Sequence, residues 1–138
     1  MITLLGNNMF NETLLRNVLN AIKEKPEYRD DIIDSFSDNQ FRSKGKVVEF
    51  IDALNILDED SEVVIFGSWY GSILIPRLAS HAKRITCIDL DKDVLQIAKN
   101  KLFNEYDNID YTVADVFEKD LSRYHYTKLF INTSCEHM

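Results

Sequence analysis

The chain has 138 residues, 45% hydrophobic and 28% charged, with a net charge of −7. That length fits one domain around a single core, and no apolar run approaches the roughly 20 residues that span a membrane. Acidic overall and without clustered Lys and Arg, the sequence lacks the basic patch that usually meets phosphate, so nucleic acid is a disfavoured partner.

The opening MITLLGNNMFNE has no basic stretch of the secretory kind. Cys87 and Cys135 make no disulfide framework, so a reducing, cytoplasmic setting is expected. Residues 11–25 are predicted to form a helix, with Leu14, Leu15, Val18, Leu19 and Ile22 at helical spacing and Asn11 as its cap. Pro26 ends it, residues 27–36 make a short acidic helix, and SDNQ at 37–40 is a polar break. A second clear helix is expected from Ser43, its cap, to Leu57, with an apolar stripe of Val47, Val48, Phe50, Ile51, Leu54 and Leu57. Asp58 to Ser61 is a turn. The expected organisation is a helical segment over 1–60 packed on a half-domain over 61–138.

From residue 62 the pattern alternates. Strand 62–66 precedes helix 72–82, strand 84–89 precedes helix 92–104, and strands 109–114 and 128–132 follow. Short β-rich apolar runs between helices predict an α/β fold with a parallel sheet and crossover helices. Ligands in such sheets bind beyond the carboxyl ends of the strands.

The residues at those ends carry the functional signal. After the first strand comes Gly67-Ser68-Trp69-Tyr70-Gly71, where glycines permit a tight turn and close approach. The second strand ends at Asp89, followed by Leu90, and such an acid suits a bidentate grip on ribose hydroxyls. Asp91 fits the cap of the next helix, which leaves Asp89 for a ligand. The third strand runs into Asp115, able to accept from an exocyclic amine, with Val116 or Phe117 packing on a flat base. The fourth ends at Asn132-Thr133-Ser134. Singly, each is explained as a turn or cap residue; in this order and spacing they describe one cofactor crevice.

These residues resemble the class I S-adenosylmethionine-dependent methyltransferases over about residues 62–138. EVVIFGSWYGSI is similar to their first motif, RITCIDLDKDVLQIAKNKL to the second with Asp89 as the ribose acid, NIDYTVADVF to the third with Asp115 at the adenine, and KLFINTS to the fourth. A narrower resemblance is to phage-type methyltransferase-like proteins with a Gly-x-Trp-Tyr-Gly loop, an Asn-Thr-Ser-Cys-Glu-His segment and a stretch like NQFRSK. Ile65 stands where the class has an acid, and Trp69 where it has a glycine. The resemblance implies a Rossmann-like sheet of order 3-2-1-4, preceded by N-terminal helices and lacking the later strands of the usual seven. It implies S-adenosylmethionine as cofactor, held by residues 67–71, Asp89, Leu90, Asp115 and Val116. A nicotinamide dehydrogenase is the nearest rival, but a pyrophosphate needs close backbone contact where Trp69 stands. Trp69 either faces the cofactor's sulfonium or packs on the N-terminal helices and closes the site.

Asn132, Glu136 and His137 are the candidates to orient or deprotonate a methyl acceptor. Gln40, Ser43 and Lys44 could reach the cofactor carboxylate or the substrate. No metal site is expected, and Cys87 belongs to the core. The expected activity is methyl transfer to a small molecule or protein. The alternatives are a non-catalytic cofactor-binding or regulatory subunit, and a lyase or hydrolase that cleaves the same cofactor. Strand 128–132 would be an apolar edge, so a homo-oligomer or a complementing chain is expected there.

Overall fold

The computed structural model describes residues 11–115, 124 and 126–133. Helix α1 spans Glu12–Glu24, and the Asn11 side chain accepts from the Leu14 N–H at 2.9 Å, as its N-terminal position requires. Its inward stripe is Leu14, Val18 and Ala21, while Leu15 and Leu19 stand half exposed on the flank. Pro26 opens a 3₁₀ turn, Pro26–Tyr28, that leads into α2, Arg29–Asp34.

The next helix differs from expectation. α3 runs Asp38–Leu54 and is capped by Ser37, whose hydroxyl accepts from the Gln40 N–H. SDNQ is therefore a helix start instead of a break, and Ser43 lies inside the helix, its hydroxyl turned back to the Gln40 carbonyl. The end moves too: Asn55 takes a left-handed conformation at φ 50° and closes the helix before Leu57. With these bounds the inward stripe is Lys44, Val48 and Ile51, and Phe50 and Leu54 face solvent. A lysine occupies a core-facing position.

Asp58 and Ser61 tie the following turn, each accepting from the other's segment, and deliver the chain to the sheet. The strands are β1 Glu62–Phe66, β2 Arg84–Asp89, β3 Ile109–Val113 and β4 Leu129–Asn132. All pair in parallel in the order β3-β2-β1-β4, which is the Rossmann-like arrangement expected. The period of two separates the faces. Val63, Ile65, Ile85, Cys87 and Ile131 join residues of α1, α2 and α3 and of the two crossovers in one buried cluster. On the other face Val64, Phe66 and Ile88 pack with Ala114 and Tyr124, and Phe130 stacks on Phe66 with ring centroids 5.7 Å apart.

The crossovers are shorter than a uniform helix. After β1, α4 is Leu74–Leu78, continued by a 3₁₀ turn at Ala79–His81. Pro76 is tolerated because it stands in the first turn, where an N–H has no partner inside the helix. Asn108 donates to the Ala79 and Ala82 carbonyls at 2.8 and 3.1 Å, satisfying that end. After β2, α5 is Lys92–Ile97, its first N–H groups bonded to Asp91 as expected. A π-helical turn, Ala98–Leu102, follows, and its extra residue lets Leu102 and Phe103 both be buried. No helix among the described residues is long and apolar enough to cross a membrane.

Candidate functional site

Parallel pairing puts all four strand ends on one rim. Phe66 is in register with Ile88 and with Asn132, and Asp89 with Val113. The loop after β1, Asp89, Asp115 and Asn132 therefore lie along one rim of the sheet. Val116, Glu136 and His137, like Phe117, Ser134 and Cys135, lie outside the described residues.

The loop is pinned on both sides. Gly67 and Ser68 both donate their N–H to the Ile88 carbonyl, at 2.8 and 3.2 Å. On the β4 side the Thr133 hydroxyl reaches the Phe66 and Gly67 carbonyls at 3.0 and 2.8 Å, and its N–H also bonds Phe66. Sequence reasoning placed Thr133 at the end of the fourth strand but gave it no role, because it signals itself only as a small polar residue after a strand. Ser68 to Gly71 close a turn through a 2.9 Å bond from the Gly71 N–H to the Ser68 carbonyl, and α4 begins from the Gly71 carbonyl.

Three residues here have positive φ: Gly67 at 63°, Trp69 at 53° and Gly71 at 66°. Trp69 thus adopts the conformation that a glycine would take there, at a cost of about 1–2 kcal/mol. Contacts on either side help to hold it. Its N–H donates to Asp89 Oδ2 at 2.9 Å, and its ring lies 5.1 Å from the fully buried ring of Tyr70. Asp89 Oδ1 accepts from the Asp91 N–H at 3.0 Å. The ribose-acid candidate is therefore also the strut of the glycine loop. Leu90 beside it is 68% exposed, an apolar surface at the rim.

Below the loop is a buried polar layer. The Ser35 hydroxyl donates to the Ile32 carbonyl at 2.6 Å, so in its 2.6 Å contact with Ser72 it is Ser72 that donates. This couples α2 to the start of α4. Ser35, Gln40, Lys44, Ser68 and Ser72 line one narrow cleft against Trp69 and Gly71. Of the three residues expected near the cofactor carboxylate, the structure brings Gln40 and Lys44 to the loop, and Ser43 is not among the lining residues. Burial lowers the Lys44 ammonium to about 8 from the ordinary 10.5. Burial, with Asp31 and Asp91 adding, holds the Tyr70 phenol protonated well above its ordinary value. The Cys87 thiol is pushed up to about 12 by burial, which makes it an inert core residue.

The Lys44 shift carries a stability prediction. Its charge is disfavoured in the folded state, so the cost is fully present below pH 8 and is relieved as pH rises toward 10.5. Chemical denaturation is expected to show stability increasing between pH 8 and about 10, the range before tyrosines titrate. Lys44→Met should flatten that rise, and a rise unchanged in the variant would refute the assignment.

No protein-family model matches the chain. Ribosomal RNA small subunit methyltransferase A of Fusobacterium nucleatum subsp. nucleatum is 30% identical over 89 residues, covering 64% of this chain and 33% of that protein. The protein of the same name from Staphylococcus carnosus is 30% identical over 95 residues, 69% of this chain and 31% of its own length. Among solved structures, an RNA methyltransferase from Salinibacter ruber in complex with S-adenosyl-L-homocysteine is 26% identical, with a TM-score of 0.50, and the match covers 63% of this chain and 56% of that one. The fold is the Rossmann-like one of S-adenosylmethionine-dependent methyltransferases, whose sheet order this chain shares through β1 to β4. Its similarity in sequence runs to ribosomal RNA methyltransferases, and the chain spans about a third of the length of the curated relatives it matches.

This overturns the expectation about partners. The net charge of −7 pointed away from nucleic acid, yet the curated relatives are named for ribosomal RNA. A whole-chain charge sum says little about a local phosphate-binding patch, and two thirds of each relative lies beyond the matched stretch. The comparisons do not support a homo-oligomer or complementing chain through strand 128–132 either. Of that strand's apolar residues only Phe130 stands exposed, while Ile131 is buried and Leu129 packs against the core.

Proposed function

We propose that this chain is the cofactor-binding part of an S-adenosylmethionine-dependent methyltransferase acting on RNA. The observation that carries this reading is the Asp89 carboxylate, held between the Trp69 and Asp91 N–H groups at the end of β2. A carboxylate offers about four lone-pair sites, and these two bonds leave the remainder for ribose hydroxyls. The adenine then lies along Leu90, with Asp115 accepting from its exocyclic amine, and Val116 is retained as a candidate for contact with the base. The methionine part follows the loop 67–71. Asn132 stands on the β4 side of the rim, where a methyl acceptor would be aligned behind the sulfonium. Glu136 and His137 are retained as candidates to take the acceptor's proton. The Trp69–Tyr70 pair in the loop supports the narrower kinship with phage-type methyltransferase-like proteins, and the buried, free Cys87 suits a reducing cytoplasm.

Calorimetric titration with S-adenosylhomocysteine, with NAD as control, tests the cofactor; binding of NAD alone would refute it. Transfer of labelled methyl from S-adenosylmethionine to ribosomal RNA, with protein and small-molecule acceptors alongside, tests the substrate class. Trp69→Gly separates the two roles of the tryptophan. The glycine relieves about 1 kcal/mol of backbone strain while the lost aromatic packing costs a similar amount. Stability is therefore expected to change little and cofactor affinity to fall. A large loss of stability with unaltered affinity would assign Trp69 to packing.

A further inference from the structure

We propose that the cavity between the end of α1 and the side of α5 is a second binding site, outside the cofactor rim, for one unpaired nucleobase that carries an exocyclic amine. The proposal rests on the RNA reading above for the source of that base, and it names where this chain reads a nucleotide other than the methylated one. The cavity measures about 280 Å³, and no residue of the glycine loop, nor Asp89, Leu90, Asp115 or Asn132, lines it. That is near the low end of the roughly 300–1,000 Å³ of small-ligand sites, room for one flat ring system and too little for a duplex.

One wall is the turn that closes α1, with Lys25, Glu27 and Tyr28. The other is one side of α5, where Asp93, Gln96, Ile97 and Asn100 recur at three- and four-residue spacing. The π-helical turn carries Asn100 and Lys101 into this wall, and such turns are frequent at functional sites. Bonds between the walls fix the cavity in the free protein. The Tyr28 hydroxyl donates to Asp93 Oδ2 at 3.2 Å, Lys101 is ion-paired with Glu24, and Asn17 of α1 donates to the Leu102 carbonyl at 3.0 Å. A site already formed costs little in ordering when a ligand enters. Two lysines and two carboxylates line the cavity, so it holds no net charge and suits a neutral ring. Buried Ile97 and the half-buried Tyr28 give that ring apolar surface to lie on. Gln96 and Asn100 are exposed, and side-chain amides pair with a base edge through a donor and an acceptor together. Glu27 and the second oxygen of Asp93 accept from an amine and repel the carbonyl that uracil has in its place. Lys101 is held by Glu24, which leaves Lys25 for a backbone phosphate.

The experiment titrates the chain with short single-stranded oligoadenylate and oligouridylate, with AMP, and with S-adenosylhomocysteine as a control for folding. Oligoadenylate is expected to bind more tightly than oligouridylate. Gln96→Leu should weaken oligoadenylate about ten-fold and oligouridylate little, and Glu27→Gln should narrow the preference between them. Lys25→Met should weaken both alike and lower the slope of log affinity against log salt by about 1. Tyr28→Leu should cost about ten-fold through lost stacking, and Tyr28→Phe, which keeps the ring, should restore it. S-adenosylhomocysteine affinity should be the same in all of these variants. Equal binding of the two oligonucleotides by the parent overturns the site, as does oligoadenylate affinity unaltered in Gln96→Leu and Tyr28→Leu; the RNA reading survives either result. Binding of AMP with the same losses, without binding of oligonucleotides, overturns RNA as the source of the base. Binding of none of them overturns the site and the RNA reading together, and leaves the cofactor reading to its own titration.

Discussion

Asp89→Ala is expected to weaken S-adenosylhomocysteine binding at least a hundred-fold and to loosen the glycine loop. The carboxylate has two tasks, and alanine ends both. Charge-assisted hydrogen bonds to two ribose hydroxyls contribute at least about 3 kcal/mol together, which converts to that factor. Inside the chain, the Trp69 N–H loses its acceptor at 2.9 Å and the Asp91 N–H its acceptor at 3.0 Å. Trp69 then has less to hold it at φ 53°, so a further loss of about 1–2 kcal/mol in global stability is expected. Asp89→Asn keeps the shape and one acceptor oxygen, and should retain most of the stability but little of the affinity. Titration calorimetry and urea denaturation on the same samples read the two effects. Undiminished affinity in the alanine variant would remove Asp89 from the cofactor site, whatever happens to stability.

Gly71→Ala is expected to destabilise the fold by about 2–4 kcal/mol, from two additive costs. Gly71 sits at φ 66°, where an L side chain is strained. A Cβ there would also lie 2.6 Å from Ile75 Cδ1 and 2.9 Å from Ile75 Cγ1, closer than real contacts allow. Ile75 is itself fully buried in the core, so it has little room to retreat. The steric part can be isolated. Adding Ile75→Ala to Gly71→Ala should cost less than the two single changes summed, by about 1–2 kcal/mol, because alanine at 75 clears the space. Strict additivity by chemical denaturation would show that the contact does not matter and that the backbone alone sets the cost.

Much of the fold was legible locally. Strands β1 and β2 fall on the predicted bounds, β3 and β4 within a residue at one end, and the order β3-β2-β1-β4 is as expected. Caps were legible where a side chain stood next to the helix it serves, at Asn11 and Asp91. α3 was misjudged because Ser37 and Ser43 are both plausible caps in sequence, and it is the Ser37 hydroxyl that accepts a first-turn N–H, that of Gln40. The rim of glycine loop, Asp89, Asp115 and Asn132 was legible because parallel topology forces strand ends together. Thr133 and the Ser35–Ser72 contact were not, since each joins segments more than 35 residues apart.

By itself, then, the sequence determined the alternation of strand and helix, which follows from short-range periodicity and turn chemistry, and a shared rim, which follows from parallel pairing; the sheet order was what the resemblance to the methyltransferases implied. It also supplied the net charge, and charge misled, because a sum over the chain carries no position. The tertiary structure alone decided that Asp89 braces the loop it was expected to complement, that Trp69 holds a glycine's conformation, and that Lys44 lies buried beside Ser68. The first two depend on the pairing of β1 with β2, which sets Asp89 beside the loop, and the last on how α3 lies against that loop, contacts between separate segments that no local pattern encodes.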